Sequence, residues 1–173
     1  EKTEFATFEN VDYIRTGYNQ IRNLLQVRKY DKILIHFFDP AYFQLLEPQD
    51  LSNTQIILYS HGTDALYRAF DVIGRPYFVS DYVVPESFTK TFALRDYYIK
   101  KYNNLPNVKF VFVSNWAKKM SEELLKIKYN NAEVIPCFID ERQFPYTEKD
   151  PELRKRVFVL RKFDDLSTYS IDI

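Results

Sequence analysis

The tetrapeptide His61-Gly62-Thr63-Asp64 directly follows the apolar run Ile56-Ile57-Leu58-Tyr59 and Ser60. A glycine lets the chain turn tightly and leaves the flanking His and Asp to project. An imidazole donates or accepts a hydrogen bond near neutral pH, and a carboxylate orients a sugar hydroxyl or acts as a base. The same residues have a plainer reading, in which Asp64 caps a helix over 65–70 and His61 simply packs. Ser114-Asn115-Trp116 follows the run Val108-Lys109-Phe110-Val111-Phe112-Val113, and Ser and Asn there suit a helix cap. Arg161-Lys162 closes the run Val157-Phe158-Val159-Leu160. Two cations at that point suit a diphosphate, with the Arg bidentate, or a solvated pair. Cys137 has no electropositive surroundings in the sequence and reads as a packed, inert thiol.

Several chemistries are excluded by residue type. Gly17, Gly62 and Gly74 are the only glycines and lie far apart, so neither a dinucleotide-binding fingerprint nor a phosphate loop can be assembled. One Cys and two His residues 25 positions apart make no zinc signature. No Gly-x-Ser-x-Gly elbow and no His-Glu-x-x-His helix occur. Tyr97-Tyr98 suits sugar stacking and core packing equally.

The elements that must position these residues alternate. Apolar runs near 32–38, 55–60, 108–113 and 133–135, with a further one at 157–160, lack strict alternation, as strands covered on both faces do. Stripes at spacings of three and four separate them: Val11, Ile14, Tyr18, Ile21, Leu25; then Phe88, Phe92, Arg95, Ile99, Tyr102; then Ala117, Met120, Leu124, Ile127, opening after Ser114 or Asn115. Strand–helix alternation predicts an α/β fold, a Rossmann-like open and mostly parallel sheet with helices on both faces. In such sheets ligands sit at the carboxyl ends of the strands, where the candidate residues fall.

The 173 residues suit one compact domain plus the start of another. The stretch 145–151, two prolines around charged residues, reads as a linker. It divides an N-terminal domain, 1–145, from 146–173, the linker and the beginning of a second, truncated domain. Net charge is zero, with 24 basic and 24 acidic residues. Residues 1–86 carry 8 basic and 12 acidic side chains, and residues 87–173 carry 16 and 12. This is no nucleic-acid signature, but it is compatible with a basic second half facing an anionic ligand or a membrane surface. A single Cys implies a reducing compartment. No apolar run approaches the ~20 residues of a membrane span, and the charged start at Glu1 is not a signal peptide. The absence of an initiator Met suggests a piece of a longer protein.

Taken in order, these positions resemble the N-terminal half of a GT-B glycosyltransferase of the family 4 type, retaining and sugar-nucleotide-dependent. The carrying stretches are Val111-Phe112-Val113-Ser114-Asn115-Trp116-Ala117-Lys118-Lys119-Met120, then Ala132-Glu133-Val134-Ile135-Pro136-Cys137-Phe138-Ile139-Asp140, then Phe144. Cys137 and Phe138 stand where the family has Asn and Gly, so no role of that Asn is carried over. His61-Gly62-Thr63-Asp64 is similar to the family's His-containing loop near the reacting sugar. Val157-Phe158-Val159-Leu160-Arg161 looks like the first strand of the C-terminal domain, with Leu160 in place of the usual Gly and no following Lys-Gly pair.

The resemblance implies catalytic roles for His61 and Asp64, acceptor binding near Gly62, Ser114 and Asn115, and donor-phosphate binding by Arg161 and Lys162. It implies a nucleotide sugar as donor and a saccharide or lipid-linked acceptor in cell-surface polysaccharide or glycoconjugate synthesis. Neither a cofactor nor a metal is expected, because protein cations and helix N-termini neutralise the leaving diphosphate. The expected setting is the cytoplasm, including the inner face of the membrane. The paired Glu residues of the missing C-terminal domain lie outside this chain, so the chain alone is expected to be inactive. Two rival readings remain: a non-enzymatic α/β ligand-binding or regulatory module, thinly supported by Asp39 after Phe38, and a sugar hydrolase, for which no converging carboxylate pair is visible.

Overall fold

The computed structural model describes residues 3–62, 64, 86–137, 140, 142–143 and 145–148. It opens with an antiparallel hairpin, β1 (Glu4–Phe8) and β2 (Val11–Arg15), followed by α1 (Tyr18–Val27). Then come β3 (Lys32–His36), α2 (Pro40–Leu46), β4 (Gln55–Ser60), α3 (Glu86–Asn103), β5 (Val108–Phe112), α4 (Asn115–Leu125) and β6 (Ala132–Val134). Strands β3-β4-β5-β6 form one parallel sheet in that order. The protein is thus α/β, an open Rossmann-like parallel sheet flanked by helices, as the run-and-stripe alternation predicts, although among the described residues the helices gather on one face and not on both.

Successive strands are laid down in one direction across the sheet. The connecting helices α2, α3 and α4 share one buried cluster with one face of the sheet. That face is the core. Ile56, Leu58, Val108, Phe110 and Phe112 meet Phe43 and Leu46 of α2, Tyr98, Ile99 and Tyr102 of α3, and Ala117 and Leu125 of α4 in one buried cluster. Phe38 packs edge-on against Phe110 and Phe112, with ring centroids 5.6 and 6.1 Å apart. Aromatic edges on aromatic faces add attraction beyond the area they bury. The opposite face carries Leu34, His36, Ile57 and Tyr59, and Leu34 there is 54% exposed.

Three boundaries differ from the sequence reading. The stripe from Val11 to Leu25 is not one helix, because Val11 and Ile14 belong to β2. Residues 11–15 are rich in β-branched and aromatic side chains. Glu9 and Asn10 both take positive φ (50° and 64°), the two-residue turn that matches strand twist. The helix begins only after Gly17. The first parallel strand stops at His36 and not at 38, since Phe37 turns to φ 73°. The last helix ends at Leu125, because Lys126 adopts φ 53°, so Ile127 lies past it. The helix expected over 65–70, the strand over 157–160 and the side chain of Phe88 lie outside the described residues. Residues 145–148 of the proposed linker form neither helix nor strand, and 149–173 lie outside the described residues.

Candidate functional site at the carboxyl edge of the sheet

Parallel strands deliver their carboxyl ends to one edge. At the ends of β3 and β4 the backbone leaves ordinary geometry twice. Phe37 is a bulky residue at φ 73°, and Gly62 sits at φ 119°. For Phe37, which carries a Cβ, this costs roughly 1–3 kcal/mol and persists where surrounding contacts over-determine it, whereas Gly62 takes its φ without that penalty. The contacts here converge on Asp64, which is 5% exposed. Its Oδ1 accepts from Ser60 Oγ (3.1 Å) and from the backbone N–H groups of His61 (3.0 Å) and Gly62 (2.9 Å). Its Oδ2 accepts from Phe38 N–H (3.0 Å). One carboxylate thus clamps the exit of β4 to the exit of β3.

Neither sequence reading of Asp64 anticipates this. Three of these donors lie before Asp64 in its own turn and the fourth just past the end of β3, while the helix it was read to cap lies outside the described residues. The carboxylate is occupied by four donors and acts as a positioning group for the turn that carries His61.

That turn brings together the chain's two histidines. His36 Nδ1 and His61 Nε2 are 2.7 Å apart. Tyr59, paired with His36 across the strands, stacks on it (5.2 Å, 29°). Phe37 stacks on the His61 ring from its strained position (4.7 Å, 28°). The Tyr59 hydroxyl donates to the Ile135 carbonyl (3.0 Å), tying this cluster to the end of β6. Both histidines are exposed.

A cavity of about 300 Å³ adjoins the cluster, lined by Phe37, Asp39, Tyr42, Asp64 and Arg95. Asp39 caps α2, its Oδ1 accepting from Ala41 N–H (2.8 Å). Arg95 brings a cation from α3 to a pocket otherwise lined by aromatic and acidic residues.

At the end of β5, Ser114 is the N-cap of α4, its Oγ accepting from Ala117 N–H (3.0 Å), and Asn115 is the first helical residue, exposed. Trp116 beside it is 55% exposed. These residues share the edge with His61 but are held by their own helix. Arg161 and Lys162 lie outside the described residues, as do Phe138, Ile139 and Phe144. Cys137 is exposed, contrary to the packed thiol read from the sequence, because the chain leaves the sheet after Val134 and runs past its edge. The Tyr97-Tyr98 pair divides: Tyr97 is exposed, while Tyr98 stacks on Phe43 (5.3 Å, 10°) and donates to Glu47.

Sequence reasoning missed His36, Phe37, Tyr59 and Arg95. His36 sat inside an apolar run, and Arg95 inside an apolar stripe. In each case the signal was one polar residue in a hydrophobic pattern. Among the described residues no cluster of three or more His, Cys, Asp or Glu is placed to hold a metal ion, and no helix is long and apolar enough to cross a membrane. Compared with known proteins, the chain matches no family model, no curated protein and no solved structure.

Proposed function

We propose that this chain is the acceptor-side domain of a GT-B type retaining glycosyltransferase. Its partner substrates would be a nucleotide sugar and a saccharide or lipid-linked acceptor, and its place would be cell-surface polysaccharide or glycoconjugate synthesis. The observation that carries the reading is His61: an exposed imidazole at the carboxyl edge of a parallel sheet, on a glycine turn clamped by a buried carboxylate. A hydroxyl-bearing ligand needs one positioned donor–acceptor and flat apolar surfaces to lie against. His61 supplies the first, and the rings of Phe37, Tyr42 and Trp116 supply candidates for the second. Donor binding is assigned to Arg161, Lys162 and a further domain beyond this chain, with phosphate charge met by protein cations and no metal. Gly62, Ser114 and Asn115 fall on the acceptor side of that cleft.

A receiver-like regulatory module would need a free acidic phosphoacceptor at this edge. Asp39 is engaged as a helix cap and Asp64 by four donors, which favours the transferase reading. The test is a transfer assay on the longer parent protein with a panel of radiolabelled sugar nucleotides and saccharide acceptors. Transfer by the parent and none by this chain alone is the expected result. A parent that transfers from no donor, or turnover by this chain alone, would overturn it.

A further inference from the structure

We propose that His36 and His61 form a two-histidine proton relay whose tautomers are locked together. The relay stands on geometry alone; its use in glycosyl transfer rests on the function proposed above. The chain has two histidines in 173 residues, and both are in this contact. The bonded atoms are Nδ1 of His36 and Nε2 of His61, 2.7 Å apart, within the range of a strong hydrogen bond.

Neutral imidazole carries one N–H and one acceptor nitrogen. If His36 Nδ1 donates, His61 Nε2 accepts and its proton sits on Nδ1. If His61 Nε2 donates, His36 Nδ1 accepts and its proton sits on Nε2. Both rings are therefore Nδ1–H, or both are Nε2–H. A mixed pair sets two protons or two lone pairs against each other. Moving a proton onto one outer nitrogen thus releases one from the other.

The surroundings hold the pair in line. Tyr59 stacks on His36, Phe37 stacks on His61, and the backbone N–H of His61 is fixed to Asp64 Oδ1. Tyr59 and Asp64 are the titratable groups among these neighbours. Both imidazoles are exposed, and among the described residues neither ring takes a second hydrogen bond.

In a transfer step the balance is complete. Starting from the Nε2–H pair, an acceptor hydroxyl gives its proton to His61 Nδ1. The proton on His61 Nε2 moves to His36 Nδ1, and the proton on His36 Nε2 passes to water. The oxygen keeps its electron pair and bonds to the sugar carbon. The sugar–phosphate C–O bond breaks, and its pair leaves with the nucleoside diphosphate. The pair ends as Nδ1–H on both rings and resets by exchange with water.

The test is a long-range ¹H–¹⁵N correlation spectrum of this chain labelled at histidine, at about pH 8, where imidazole is neutral. Two rings with the same tautomer, or the same average, are expected. The His36→Phe variant keeps a ring on Tyr59 and removes the nitrogen; there the tautomer balance of His61 should shift. His61→Phe reads the coupling from the other side. Opposite tautomers in the unmodified chain, or a His61 spectrum unmoved by His36→Phe, would overturn the relay. In the parent enzyme His36→Phe should lower kcat ~100-fold with KM nearly unchanged, the scale of one general acid–base group. An unchanged kcat beside coupled tautomers would overturn the catalytic use. A parent without transferase activity would overturn the function alone and leave the tautomer result standing.

Discussion

Among the described residues two carboxylates are buried, and they are handled differently. Glu122, in α4, is 9% exposed and meets a cation: Lys128 Nζ is 2.9 Å from Oε2, and Tyr129 N–H donates to Oε1 (3.2 Å). Burial raises its pKa, while Lys128 and the Tyr129 N–H lower it, and the lowering wins. Nearby, Ser121 pairs with the Tyr129 hydroxyl, whose pKa burial pushes up. The backbone around this cluster is relaxed apart from the left-handed helix stop at Lys126. Asp64, at the other site, is bound by three backbone N–H groups and one hydroxyl, all neutral donors, drawn from two strand ends. Beside it lie the strained backbone of Phe37 and, at Gly62, a φ that glycine alone takes freely. Glu122 fastens α4 to the loop that leads to β6. Asp64 holds two strand ends in a shape they would not otherwise keep, and the product of that shape is the presentation of His61. Local satisfaction marks a structural carboxylate; satisfaction of strained backbone at a ligand edge marks a positioning one.

The contrast is broken most severely at Asp64. Asp64→Asn offers one acceptor and one donor to four donors, leaving buried N–H groups unmet. Urea unfolding of the chain should show a loss of about 3 kcal/mol, the scale of several charge-assisted bonds lost in a buried site. Gly62→Ala tests the strain itself. An added Cβ meets nothing within 4 Å, so the cost is the φ of 119° and not a clash. A loss of roughly 1–2 kcal/mol is expected. Ser114→Ala removes an ordinary cap and should cost about 1 kcal/mol while leaving the two histidine spectra unmoved.

Glu122→Gln sharpens the contrast through pH. The folded pKa of Glu122 lies below the ordinary value of 4.5. Its stabilisation is therefore present above that value and lost as pH falls through the folded one. The variant should be about 1 kcal/mol less stable at neutral pH and should converge with the parent chain in acid, measured by unfolding at several pH values. A gap that widens in acid would contradict the assignment.

The fold was legible in the sequence because its strands are short apolar runs and its helices apolar stripes. The run 55–60 coincides with β4, and Ser114 does cap α4. The hairpin was not legible as such. Val11, Ile14 and Tyr18 satisfy helical spacing by coincidence, and the turn at Glu9-Asn10 carries no glycine to announce it. At the site, His61 and Gly62 could be placed from one strand and one turn. The remainder is tertiary. His36 is 25 residues from His61, and β3–β4 pairing alone makes them neighbours. The clamp from Asp64 to Phe38 and the arrival of Arg95 from α3 depend likewise on elements distant in sequence.

On this reading the clamped turn presents His61 and does not stabilise the fold through it. The most direct measurement is His61→Ala in the glycosyltransferase proposed to contain this chain, with kcat and unfolding free energy determined on the same preparation. There kcat should fall by ~10- to 1000-fold, the range of one positioned polar group, while stability stays within about 0.5 kcal/mol, as for other exposed side chains. Turnover equal to that of the unmodified enzyme, or a loss of stability large enough to explain the loss of turnover, would contradict it.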